Sequence, residues 1–397
     1  MEGQSGMNVL LITSDVNVLK DGTAARLRVE QYSSLCHRLV VIVINKHRDR
    51  FEPRKISKSL WLIPTNSYVS LLSPLGAVRA GRRELCFQGT FQADLISADD
   101  PCGAGIAAAI LAWQYAKPLH VSIERNIFTP HFWSEAPGNA LRAYIARTVI
   151  RHASGIQVSS ENIRAAIAGV GASVGERTRV VPYFIDVQAF RDEAVRVDLR
   201  AKYPQFNIVV LVVAPLTQTH NVQHAITIVS EALKRYSHIG LVIVGEGRLR
   251  SRLKALAAHL RIADRVMFEN WTENLSSYFK TAHIFLVTSR EDEYDHTIQK
   301  AAASGSVIVT TPVGTAESFL EDKVSGFLCE PHDTTKFVDN IMEIINHNNT
   351  REFLKLNARA AVEKIMADEG SYLAQCKESW ERAAAPSDTT YVATRNR

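Results

Sequence analysis

The feature that most constrains this chain is a rhythm that it runs through twice. In the first half, short apolar runs at 9–12, 40–44, 95–97 and 119–123 alternate with helical patterns over 24–38, 105–115 and 141–152. In the second half, runs at 208–213, 240–244, 266–268, 284–287 and 307–309 alternate with helical patterns over 222–236, 248–260 and 298–303. A strand that is apolar at successive positions, rather than at every second one, needs cover on both faces. Such strands, separated by helices, fold as a doubly wound parallel sheet and not as a sandwich. The polar stretch 186–204 lies between the halves and reads as a linker. The expected architecture is α/β, with two facing Rossmann-like domains at 1–185 and 205–365. A long tail helix is expected over 351–384, its last part (366–385) crossing back to the first domain, and 386–397 reads as a disordered tail. In sheets of this kind ligands sit at the carboxyl ends of the strands.

Composition narrows the class without naming a function. With 397 residues, 46% hydrophobic and 22% charged, the chain has ample core for two or three domains and is not disordered. The net charge of +5 is mild. It suits an anionic ligand or a lipid surface, and it does not imply nucleic acid, so no nucleic-acid partner is expected. Cys36, Cys86, Cys102, Cys329 and Cys376 form no C-x-x-C pair, which argues against a disulfide framework or a zinc ribbon. His47 and His131 are isolated, and no metal is expected. Residues 1–4 lack the basic flank and apolar run of a secretory leader. The apolar stretch 104–113 is shorter than the roughly 20 residues that span a bilayer. The expectation is a soluble, cytoplasmic protein.

Three segments carry candidate chemistry, each with a plain structural alternative. Gly245-Glu246-Gly247 follows a strand and precedes a helix, where glycines let backbone approach a phosphate or ribose, or where they satisfy a tight turn. Asp21-Gly22-Thr23 precedes a helix and can present amides to an anion, or can simply be a turn with Thr23 as the capping residue. The segment 289–300 places four carboxylates, a histidine and two basic residues at a strand's carboxyl end. It is either a solvated charged loop or the mouth of a site, with amides around 295–297 able to hold a phosphate. Arg248, Arg250, Arg252 and Lys254 form a basic cluster that reads as a solvated helix face. The basic amphipathic pattern over 141–152, with Arg142, Arg147 and Arg151, fits either an anionic membrane surface or packing on its own domain.

Several of these segments are recognisable. LVIVGEG at 241–247, RVMFENW at 265–271, the segment 289–305, PVG at 312–314 and SGFL at 325–328 resemble glycosyltransferase family 4. In the first half, DGTAAR at 21–26 looks like that family's glycine loop, and 121–130 with 132–150 like its central acceptor-side segment. VPYFID at 181–186 looks like its closing proline turn. The resemblance implies a GT-B fold and retaining transfer of a sugar from a UDP- or GDP-sugar to a lipid-linked or polysaccharide acceptor. It further implies polysaccharide biosynthesis, with peripheral contact at the cytoplasmic face of an anionic membrane. No cofactor is implied beyond the donor, whose own phosphate oxygen would serve as base. Carried over by position, the catalytic residues are Glu124 and Asp292. The donor-binding residues are Gly22, His220, Gly245, Gly247, Trp271, Tyr294, Asp295, His296, Thr297 and Lys300.

The sequence departs from the family's pattern at several of these positions. The E-x7-E pair falls on Asp292 and Lys300, and a charged lysine cannot accept hydrogen bonds from ribose hydroxyls. Glycines flanking the motif's aromatic are replaced by Glu293 and Asp295. The Arg and Lys that neutralise a diphosphate fall on Pro215 and His220. The histidine near the sugar and its acidic neighbour fall on Glu124 and Asn126. Two readings follow: an active retaining glycosyltransferase, or a GT-B pseudoenzyme that binds a ligand or a partner subunit.

Overall fold

Strand β1 (Asn8–Thr13) shows how the pattern of successive apolar residues is used. Leu10 and Ile12 enter one hydrophobic core while Val9 and Leu11 enter another on the opposite face. The computed structural model describes residues 6–68, 73–87, 91–129, 132–133, 138–171, 173–182, 184–272, 274–290, 296–314, 316–365 and 368–385. They fall into two compact units: 1–128 with 137–183 and 369–397, and 129–136 with 184–368.

In the first unit the chain runs β1, α1 (Ala24–Tyr32), β2 (Arg38–Val43), β3 (Arg54–Lys55), β4 (Leu60–Pro64), α2 (Ser73–Phe87) and β5 (Leu95–Ala98). It continues through α3 (Gly103–Tyr115), β6 (Leu119–Ile123), α4 (Asn139–His152), β7 (Gly155–Val158), α5 (Glu161–Ala168) and β8 (Thr178–Val180). The sheet order is β3-β4-β2-β1-β5-β6-β7-β8, parallel throughout except where β3 meets β4. Order reverses between β1 and β5, so the crevice outside their carboxyl ends is this sheet's switch point.

The second unit opens with α6 (Val187–Asp192) and α7 (Leu199–Lys202), then β9 (Ile208–Val213), α8 (Val222–Leu233), β10 (Ile239–Val244), α9 (Arg250–His259) and β11 (Val266–Glu269). After these come α10 (Leu275–Thr281), β12 (Ile284–Val287), α11 (Thr297–Ser304), β13 (Val307–Thr310), α12 (Ala316–Phe319), β14 (Phe327–Leu328), α13 (Thr334–Asn346) and α14 (Asn348–Ile365). Its all-parallel sheet has the order β11-β10-β9-β12-β13-β14, with the switch point between β9 and β12. Strand β9 repeats the division seen in β1: Ile208, Val210 and Val212 pack on one face, Val209, Leu211 and Val213 on the other.

Two expectations are corrected. The stretch 186–204 is not an open linker: Val187 and Leu199 are buried in the second unit's core, and the Leu199 amide donates to Thr281 Oγ1 at 3.1 Å. The polar residues there line the outer side of two short helices, which is why polarity alone misread them. The tail is two helices rather than one, because α14 ends at Ile365 and α15 (Glu369–Ala384) begins afresh. Their cores differ. Ala358 and Val362 of α14 pack in the second unit. Trp380 and Ala383 of α15 pack under the first, where Tyr372 Oη lies 2.7 Å from Tyr32 Oη. The first helix is also shorter than its pattern, ending at Tyr32 rather than 38.

Candidate functional site

At the second unit's switch point the loop after β9 is the hub. On one side it extends the sheet: the Ala214 amide donates to the Val244 carbonyl at 3.1 Å and the Leu216 amide to the Glu246 carbonyl at 2.8 Å. This approach explains both glycines. A Cβ on Gly245 would overlap the Ala214 carbonyl oxygen, and one on Gly247 would lie 2.5 Å from that of Leu216. Of the two readings of Gly245-Glu246-Gly247, the protein's own backbone already accounts for the glycines. On its other side the loop meets the segment after β12. The Arg290 amide donates to the Thr219 carbonyl at 2.9 Å, and Thr288 Oγ1 donates to the Asn221 carbonyl at 3.1 Å. His220 is buried in this loop, its Nδ1 2.8 Å from Thr217 Oγ1. Pro215 brings no donor to the same turn.

Trp271 stands two residues beyond β11 and is half exposed. Its neighbour Asn270 is tied to the glycine loop by Arg250, whose Nη1 donates to Asn270 Oδ1 at 3.0 Å and to the Gly245 carbonyl at 3.2 Å. Glu269, at the strand's end, accepts from Lys202 Nζ and Tyr203 Oη, each at 2.6 Å, and from Tyr278 Oη. Burial alone would raise its pKa, but these three donors together hold it below the usual carboxylate range.

Helix α11 starts at this mouth. His296 occupies its N-cap position, with Nδ1 3.3 Å from Gln299 Oε1, and Thr297 is its buried first residue. The Lys300 ammonium lies 5.4 Å above the Phe190 ring of α6. Asp292, Tyr294 and Asp295, with Glu291 and Glu293, lie outside the described residues. The structure therefore groups His220, Gly245, Gly247, Trp271, His296 and Thr297 at the carboxyl ends of β9 to β12, and places the Lys300 head group on the helix flank against α6.

In the first unit, Gly22 sits at φ +76° with open space around it. Thr23 caps α1, its Oγ1 accepting from the Arg26 amide at 3.3 Å and donating to the Asn17 carbonyl at 2.7 Å. This is the capping-turn reading of Asp21-Gly22-Thr23. Glu124 follows β6 and pairs with Arg28, 3.2 Å from its Nη1, while Asn126 Oδ1 accepts from the Phe128 amide at 3.1 Å. On α4, Arg147 lies 5.7 Å from the Phe128 ring and Arg151 donates to the Val170 carbonyl at 3.0 Å; Leu141 and Tyr144 are exposed.

The sequence reading missed the residues at the first unit's own switch point. Thr13, ending β1, donates to Asp99, which follows β5. Beside them Ser14 Oγ donates to Asp100 Oδ2 at 2.9 Å, and Asp100 Oδ1 accepts from the Cys102 amide at 2.7 Å. Burial, then the neighbouring Asp100 charge, pushes the Asp99 pKa well above the usual carboxylate range. Thr13, Arg28, Asp99, Glu124, Gln157 and Ser159 line a cavity of about 40 Å³ there. The available signal was two successive aspartates at the end of an apolar strand. Among the described residues no group of three His, Cys, Asp or Glu side chains is placed to hold a metal, and no helix is long and apolar enough to cross a membrane.

Comparison with known proteins agrees with this architecture. Residues 22–183 match the glycosyl transferase 4-like domain and residues 199–361 the glycosyl transferases group 1 family. The chain is 26% identical over 121 residues to the lipopolysaccharide core biosynthesis glycosyltransferase LpsE of Rhizobium meliloti, covering 30% of this chain and 36% of that protein. It is 22% identical over 296 residues to the alpha-monoglucosyldiacylglycerol synthase of Streptococcus pneumoniae, covering 72% of this chain and 66% of that one. The matches thus span about a third of the first relative's length and about two thirds of the second's. Among solved structures, Anabaena HepE in complex with UDP and glucose superposes with a TM-score of 0.75 at 17% identity, covering 94% of this chain and 99% of that one. With a 4-like domain in its first half and a group 1 domain in its second, the chain belongs to the glycosyltransferases of GT-B fold.

Proposed function

We propose that the protein is a retaining glycosyltransferase that moves a sugar from a nucleotide sugar, UDP- or GDP-linked, to a lipid-linked or polysaccharide acceptor. The observation that carries this reading is the second unit's switch point, where His220, the Gly245–Gly247 loop, Trp271 and the first turn of α11 converge on one strand-end crevice. The donor would lie there, its diphosphate toward the α11 amides. The HepE structures contain UDP, or UDP with glucose, which supports that class of donor. The first unit's crevice sets Thr13, Arg28, Asp99, Glu124, Gln157 and Ser159 among apolar neighbours, and Glu124 is the half-exposed group there that would hydrogen-bond an acceptor or the transferred sugar. The proposed residues include Asp292, Tyr294 and Asp295 by position in the sequence alone. The names of the two curated relatives support a lipid or lipopolysaccharide acceptor and hence peripheral contact at the cytoplasmic face of a membrane.

Leaving-group stabilisation is the main demand of such a transfer, and Pro215 supplies no charge for it. One lost electrostatic donor costs about 10²–10³ in rate, so turnover is expected to be slow, with His220 left at the crevice and the Lys300 head group against Phe190 on the helix flank. The test is calorimetric titration with UDP- and GDP-sugars, followed by transfer assays on extracted lipid and polysaccharide acceptors. Saturable donor binding, and a product whose anomeric proton coupling matches the donor's, is the expected result. Absence of any donor binding at millimolar concentration overturns the enzyme reading in favour of a pseudoenzyme, and an inverted anomer overturns retention.

A further inference from the structure

A second pocket in the same unit has no part in that reading. It has a volume of about 370 Å³, and none of Gly245, Gly247, Trp271, Thr297 or Lys300 lines it. Its walls come from the start of α8 (Asn221, His224), from α9 (Arg252) and from the loops carrying Arg290 and His332. The volume lies within the ordinary range of small-ligand sites. Among the described residues no carboxylate lines it. Asp333, next to His332, is engaged in capping α13, its Oδ1 accepting from the Lys336 amide at 2.9 Å; Glu291, next to Arg290, lies outside the described residues.

The polar atoms of this pocket are also incompletely satisfied. Arg290 Nε and His224 Nδ1 are buried without a hydrogen-bond partner among the described residues. The other His224 nitrogen, Nε2, is 3.0 Å from Thr334 Oγ1, which leaves Nδ1 for a partner that the described residues do not supply. Asn221 is 3% exposed and its Oδ1 is likewise unpartnered; a half-turn of the amide would present Nδ2 instead. Neither Arg252 nor Arg290 forms an ion pair among the described residues. Burial, with the positive charges of His332 and Arg290, keeps His224 below the ordinary histidine pKa, as expected where cations gather without a counter-charge. The N-terminus of the 12-residue helix α8 adds its amides and dipole to the same wall. Orphaned polar atoms, guanidiniums with no ion pair among the described residues and a helix N-terminus around one cavity have a common complement: a compact polyanion.

We propose that this pocket binds a phosphate-bearing small molecule, its phosphate held by Arg252, Arg290, His332 and His224. The site is separate from the donor crevice and does not depend on the enzyme reading. The test titrates the full chain with inorganic phosphate and with pyrophosphate at low ionic strength, by calorimetry and ³¹P NMR. Saturable one-to-one binding is expected, weakened about tenfold in each of Arg252→Gln and His332→Gln, as loss of one charge-assisted contact predicts. Lys58→Gln, which removes an exposed cation from the first unit, is expected to leave binding unchanged. Binding that is undiminished in both pocket variants places the ion elsewhere, the donor crevice included, and overturns the proposal. So does non-saturable uptake. Phosphatidylglycerol vesicles form the second arm: sedimentation that drops in the pocket variants, with no pyrophosphate binding, assigns the surface to a bilayer and removes the small-molecule site.

Discussion

At the first unit's switch point side chains close the crevice. Thr13 meets Asp99, Ser14 meets Asp100, and Arg28 meets Glu124. At the second unit's switch point the backbone does most of that work. Amides of Ala214, Leu216 and Arg290 reach across to Val244, Glu246 and Thr219, and glycines make the approach possible. Both crevices lie where strand order reverses in a parallel sheet, so topology alone does not set their chemistry. A crevice furnished by ionisable side chains responds to pH. A closure made by amides and glycines is set by shape instead.

The largest effect is expected under the first crevice. His120 is wholly buried, with Nδ1 and Nε2 each 3.0 Å from a hydroxyl, Ser97 and Ser379 respectively. Burial lowers its pKa to about 3. Between that value and the unfolded value near 6.5, the unfolded chain takes up a proton that the folded chain refuses, so stability falls as pH drops through this window. The loss attributable to this residue is on the order of 4 kcal/mol by pH 3. His120→Asn should lower stability at pH 7 but flatten its decline below pH 6.5 in urea unfolding series. An unchanged slope would break the claim that His120 contributes to the acid sensitivity.

The second unit supplies the steric counterpart. Gly245→Ala forces a methyl into the Ala214 carbonyl, and the loop must part from β10 to admit it. The expected cost is at least about 3 kcal/mol, equal at pH 5 and pH 8, read from urea midpoints. A pH-dependent cost would mean that ionisable groups govern this crevice as well.

These contrasts explain what could be seen in the sequence. The strand bodies were legible because burial on both faces writes itself as uninterrupted Val, Ile and Leu, as in β9. The loops after β10 and β12 were legible as candidates because each directly follows such a run. The meeting of Thr13 and Asp99 was not, since the two lie 86 residues apart and become neighbours only through the order β1-β5. The Gly245–Gly247 turn was visible as a motif, but only the Ala214 and Leu216 carbonyls reveal what it accommodates. Residues 186–204 failed for another reason: two buried anchors, Val187 and Leu199, are enough to dock a stretch whose other residues face water.

A smaller effect tests whether the second unit has any ionisable dependence of its own. Beside His224 and His283, which burial holds below the ordinary histidine value, Glu269 is one such group, a carboxylate with three donors. Its folded pKa lies below the unfolded value, so its contribution is complete above about pH 4.5 and fades as pH falls through the folded pKa. Glu269→Gln keeps the shape and loses the charge, for an expected cost of about 2 kcal/mol at pH 7 that shrinks below pH 4. Measured beside His120→Asn, it should leave the decline between pH 6.5 and 5 unaltered.

The smallest effect returns to glycine, at a position of the first unit that no neighbour approaches. Gly22 holds φ +76°, yet a Cβ there would meet nothing within 4 Å. Its alanine variant carries only the backbone penalty of the left-handed region, about 1 kcal/mol, with no neighbour to displace. Gly22→Ala should therefore unfold at a urea midpoint close to that of the unaltered chain, and Gly245→Ala at a clearly lower one. If the two losses were equal, conformational strain rather than backbone contact would account for both glycines, and the distinction between a crevice closed by side chains and one closed by main chain would rest on the side-chain pairs of the first unit alone.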